Sequence, residues 1–106
     1  MGILNNIFKK KSSLIGTWSS DINDKITLDS VGNCKMTFTK NGELIYDIIE
    51  NNKIQRINMV YFIKEDVIYS NQPSSPKQEK TKFTFYNEYT LILEFEGQST
   101  KFKRII

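Results

Sequence analysis

Histidine is absent from this 106-residue chain, and cysteine occurs once, at Cys34. The first absence removes the commonest general base near neutral pH and the commonest metal ligand. The second excludes an internal disulfide and any zinc site built on paired cysteines. A single cysteine with no histidine to take its proton is a poor nucleophile, and Cys34 falls on an apolar strand face where a small core residue fits. No apolar run approaches the roughly 20 residues that span a bilayer. Glycine-rich phosphate loops and EF-hand loops are missing too, and Asp21, Asp24 and Asp29 have the wrong spacing for calcium. Glu94 and Glu96 share one strand face, but it is the solvated one. No enzyme activity, cofactor or metal is expected.

What remains is the composition of an ordinary folded domain, 39% hydrophobic and 25% charged, in a length that supports one core. The net charge of +3 is local: Lys9, Lys10 and Lys11 account for it, and the other basic and acidic residues balance. Nucleic-acid binders gather positive charge on the folded surface, because phosphate neutralisation supplies most of their affinity. A near-neutral domain with a basic head is not expected to bind DNA or RNA. Those lysines follow Ile3, Leu4, Ile7 and Phe8 instead of preceding them, the reverse of an export signal. Gly2 opens a myristoylation-like start, but Asn6 stands where Ser or Thr is needed. A cytoplasmic protein with no membrane partner is expected. The four apolar residues recur at helical spacing, so 1–13 is predicted to be an N-terminal amphipathic helix or tail. It has three roles open to it: a lid, a membrane-surface contact or a docking element for a partner.

From residue 14 the period changes to two. Strands are predicted near 14–20, 25–30, 34–39, 43–51, 54–64, 67–71, 80–87, 90–96 and 99–105. Lys40-Asn41-Gly42 is a hairpin signal, since Asn and Gly accept positive φ. Val31-Gly32-Asn33, Asn51-Asn52, Glu65-Asp66, Asn87-Glu88 and Gly97-Gln98 mark further reversals. Eight or nine strands so linked make an antiparallel meander with no room for helical crossovers. The one long connection, Asn71 to Lys77, carries Pro73 and Pro76, which predict a stiff polar loop at the rim. Alternation puts Met36, Phe38, Tyr46, Phe83, Phe85 and Phe95 on interior faces. At about eight strands, bulky side chains of this kind can fill a barrel unaided. The stretches 44–49 and 57–63 are apolar on both faces, which points to cover by another element or to a patch that meets a partner.

Gly16-Thr17-Trp18 on the first strand and Arg104 on the last complete the pattern. Arg104 shares the apolar face of its strand with Phe102, a costly placement unless an aromatic ring or carboxylate receives the guanidinium. Trp18 is the expected receiver, through cation–π stacking. These residues, with Met36-Thr37-Phe38, Asn41-Gly42, Tyr46 and the closing Phe102-Lys103-Arg104, resemble small bacterial lipocalin-like, calycin-type domains over roughly 14–105. The resemblance implies that 14–106 is one all-β domain, an up-and-down barrel closed by Gly16, Trp18 and Arg104.

Two non-enzymatic functions suit such a chain. In the first, the outer surface binds another protein. Small signal-free barrels with an amphipathic head resemble some bacterial immunity proteins that neutralise a cognate toxin. Tyr61, Phe62, Gln72, Ser74, Ser75 and Lys77 are then the candidate contacts. In the second, the interior side chains of Met36, Phe38, Tyr46, Phe83, Phe85 and Phe95 carry a small hydrophobic ligand. The bulk of the inward residues favours the first.

Overall fold

The computed structural model describes residues 13–105; the predicted N-terminal helix lies outside them. Among the described residues, eight strands follow in chain order: β1 (Gly16–Ser20), β2 (Cys34–Phe38), β3 (Glu43–Glu50), β4 (Lys53–Lys64), β5 (Val67–Gln72), β6 (Ser75–Asn87), β7 (Thr90–Phe95) and β8 (Gln98–Ile105). Each pairs antiparallel with the next, and β1 also pairs with β8, so the sheet closes into an all-β up-and-down barrel. Trp18 stands opposite Met36 on one side and Arg104 on the other. The closing seam therefore runs through the signature residues. Closure removes the free edges that an open sheet would present to other chains.

The stretch 25–30, predicted as a strand, is instead part of α1 (Lys25–Val31). Asp24 caps it, accepting from the Thr27 N–H at 3.1 Å and the Thr27 hydroxyl at 2.6 Å. Gly32, at φ 67°, ends it by donating its N–H to the Leu28 carbonyl at 2.9 Å. A helix this short is held by docking, not by propensity. Thr27 is fully buried, and its Oγ1 accepts the Lys101 N–H at 2.7 Å. Behind the helix, the Ser20 hydroxyl donates to the Gly32 carbonyl and accepts from the Cys34 N–H, each at 2.9 Å. The sequence misleads here because Ile26 and Leu28 alternate like strand residues, yet both are exposed. The hydroxyl hydrogen bonds of the buried Thr27 outweigh them.

The long loop predicted over Asn71 to Lys77 is also corrected. β5 runs to Gln72 and β6 starts at Ser75, leaving Pro73-Ser74 as a tight turn. The register shifts between Ser70 and Gln72, so the segment containing Pro76 falls where the ladder is already irregular. A missing N–H costs little there. Other reversals follow the predicted chemistry: Asn51 and Asn52 both adopt positive φ, 53° and 63°, as the two-residue turn between β3 and β4 demands.

A meander turns at alternate ends. One end carries α1, Asn51-Asn52, Pro73-Ser74 and Glu96-Gly97; the other carries Gly16, Thr39–Gly42, Glu88-Tyr89 and the close of β8. The core sits at the second end, around the almost fully buried Trp18, Phe38, Leu91 and Phe102. Each such side chain contributes about 1.5–3 kcal/mol by leaving water.

Candidate functional site in the barrel lumen

The barrel floor is built by the two ends of the fold. Trp18 Nε1 donates to the Leu14 carbonyl at 3.0 Å. The Arg104 guanidinium carbon lies 4.2 Å from the Trp18 ring centroid. Its nitrogens donate to the carbonyls of Ser13 (2.6 Å), Ile15 (3.3 Å) and Glu88 (3.1 Å). Carbonyl oxygens and an indole face thus receive a charge that no carboxylate among the described residues neutralises. Gly16, at φ 129°, is required by this approach, since a Cβ there would sit 3.1 Å from Arg104 Nη1. Gly16, Trp18 and Arg104 meet as one unit.

Above the floor the lumen is open. Phe38 packs edge-on to Tyr61 with centroids 5.1 Å apart, Phe85 lies 6.1 Å from Trp18, and Phe83 meets Phe85 at 5.8 Å. These rings crowd the floor half, and the mouth half holds a cavity of about 340 Å³. The bulky inward set could have filled the barrel, but the aromatics cluster at one end instead of spreading along the axis and leave space. Met36, Leu44, Tyr46 and Met59 form one apolar wall, and Phe95 with Phe102 extends it around the barrel. Ser70 and Gln72 from β5, with Glu79 and Thr81 from β6, form a polar wall beside it. A recess of about 400 Å³ between α1 and the β7–β8 turn shares Val31, Phe95 and Thr100 with the cavity and marks its mouth.

Of the predicted interior residues, Met36, Tyr46 and Phe95 line this cup, while Phe38, Phe83 and Phe85 pack toward the floor. The predicted surface set divides. Tyr61 is a correction: alternation along β4 turns it inward with Met59, and its hydroxyl donates to the Thr39 carbonyl at 2.7 Å. Gln72 is another, half-buried and lining the cup, with Nε2 donating to Ser74 Oγ at 3.0 Å. Ser74, Ser75 and Lys77 are exposed at the β5–β6 tip, beside the mouth. Phe62 points outward, 54% exposed, and stacks on Tyr69 at 4.8 Å with the rings 2° from parallel. Lys80 Nζ lies 5.8 Å from the Tyr69 centroid. Glu94 and Glu96 are both exposed.

Ser70, Glu79 and Thr81 were not singled out from the sequence. Their polarity reads as solvent-facing, although stepping back by twos from Phe85 and Phe83 reaches Thr81 and Glu79 on the same face. That step is the signal that finds them. Among the described residues, Glu79 is the only carboxylate lining the cup, and neither lysine nor arginine lines it. Burial pushes the Cys34 thiol upward, and burial, then Cys34 itself, raises the Tyr46 phenol, so both are neutral near pH 7. Among the described residues no cluster of three or more His, Cys, Asp or Glu could hold a metal ion. No described helix is long and apolar enough to cross a membrane.

No family model matches the chain, and no curated protein or solved structure matches it either. The class that the coordinates define is architectural: a closed eight-stranded antiparallel barrel, sealed at one end and open beneath a short helix at the other.

Proposed function

We propose that this protein is a non-enzymatic, lipocalin-like binding protein that holds a small, mainly apolar molecule in the cup. The observation that carries the reading is the lumen cavity of about 340 Å³. It lies near the lower end of ligand pockets, about 300–1,000 Å³, and has their usual make-up of apolar walls with a few convergent polar groups. A closed barrel of ~8 strands holds one small ligand when its own side chains leave space. A cytoplasmic setting agrees with a lone reduced cysteine. The test is methyl NMR of Met36 and Met59 during titration with short alkyl and single-ring aromatic compounds, alongside native mass spectrometry of gently purified protein. Saturable shifts at both methyls, or a retained small-molecule mass, are expected. A silent lumen in both experiments overturns the reading.

The outer face supports a second reading, in which the protein binds another protein, such as a toxin that it neutralises. Its basis is the exposed Phe62–Tyr69 stack, because exposed aromatic pairs are frequent interface anchors. Replacing both with serine then abolishes partner binding and leaves the Met36 and Met59 methyls unaffected. A partner that still binds the double variant refutes this reading.

A further inference from the structure

Resting on the carrier reading, we propose that the cup selects a cationic amphiphile, an amine with a compact apolar body, over a fatty acid or another anion. The distribution of charge in the lumen carries this. Glu79 brings a carboxylate to the polar wall, and among the described residues no lysine or arginine lines the cavity to receive an anionic head. Glu79 is half-buried and makes no ion pair among the described residues. Ser70 stands opposite it in the β5–β6 ladder. Ser70 is 7% exposed and lines the same wall.

A half-buried carboxylate beside a serine hydroxyl accepts hydrogen bonds from an ammonium group, and charge-assisted bonds of this kind are the strong ones. Gln72 and Thr81 supply further acceptors on the same wall. The apolar body then lies against Met36, Leu44 and Met59, removed from water. A carboxylate ligand in the same pose would set two negative charges together without a compensating cation. The overall charge of +3 attracts anions to the protein as a whole, so preference for an amine has to come from the local wall.

The experiment compares three probes with one tail: heptylamine, heptanol and heptanoate, titrated at pH 7 into the full-length protein and into Glu79→Gln. Affinities are read by calorimetry, and location by the Met36 and Met59 methyl shifts. With the parent protein, heptylamine is expected to bind about tenfold more tightly than heptanol, and heptanoate more weakly than both. Glu79→Gln is expected to bring the amine and the alcohol within about twofold of each other. If heptanol and heptanoate shift the methyls but heptylamine binds no better than heptanol, the headgroup inference fails and the carrier reading stands. An amine preference that survives Glu79→Gln also overturns it. If no probe reaches the lumen, both fail.

Discussion

Arg104→Met tests the closure of the barrel, because it keeps the apolar stem and removes the guanidinium. That group makes three hydrogen bonds, to Ser13, Ile15 and Glu88, and covers the face of Trp18 at 4.2 Å. Arg104 is half-buried, so solvent weakens each bond toward the ordinary net value of about 1 kcal/mol. The cation–π contact adds about 1 kcal/mol. These terms overlap, since one side chain makes them all, and a total loss of about 3 kcal/mol is expected. Against a stability of ~5–15 kcal/mol for a domain of this size, that is a large fraction. Each kcal/mol is worth roughly 4–8 °C here, so the melting temperature should fall by about 12–24 °C. The chain has one tryptophan, and it is the stacking partner, so urea and thermal unfolding followed by its fluorescence report at the site itself. Arg104→Lys keeps the charge but not the planar fork that reaches three carbonyls, and should recover less than half of the loss. A methionine variant within about 0.5 kcal/mol of the parent, or full rescue by lysine, would refute the reasoning.

Three further outcomes are expected. Gly16→Ala meets both a positive φ and a 3.1 Å approach to Arg104 Nη1, and should cost about 1–3 kcal/mol in urea unfolding; a neutral result would show that the seam relaxes freely. Cys34 is buried, and burial raises its thiol pKa, so the native protein should resist a thiol reagent at pH 7 that modifies the unfolded chain completely. Rapid native labelling would contradict that placement. Asp24 has a pKa held below the ordinary 3.8, chiefly by the Thr27 hydroxyl and next by the Thr27 N–H. A depressed carboxylate pKa contributes stability that is present above about pH 4 and lost as pH falls through the lowered value. Asp24→Asn should therefore flatten the acid limb of the stability–pH curve below that point, and an unchanged limb would remove Asp24 from the account.

Much of the architecture is written locally. Period-two alternation and the paired asparagines at 51 and 52 specify strands and their reversals without knowledge of neighbours, because side-chain direction and positive φ are properties of a few consecutive residues. Trp18 and Arg104 could be paired from sequence because a charge on an apolar strand face requires a receiver, and the family resemblance added Gly16. The helix at Lys25–Val31 could not be found in this way. Its Ile26 and Leu28 are exposed, and what fixes it is a threonine hydroxyl bonded to Lys101, 74 positions away along the chain.

The candidate site divides along the same line. Local pattern placed Met36, Tyr46 and Phe95 inward, but a filled cylinder and a half-empty one have the same inward list. Only the strand register decides that Phe38, Phe85 and Trp18 gather at one end and that Ser70 meets Glu79 at the other. Alternation along a strand is set by the covalent chain; height along the barrel axis is set by the stagger of eight strands against one another, a sum of pairings that no single segment contains.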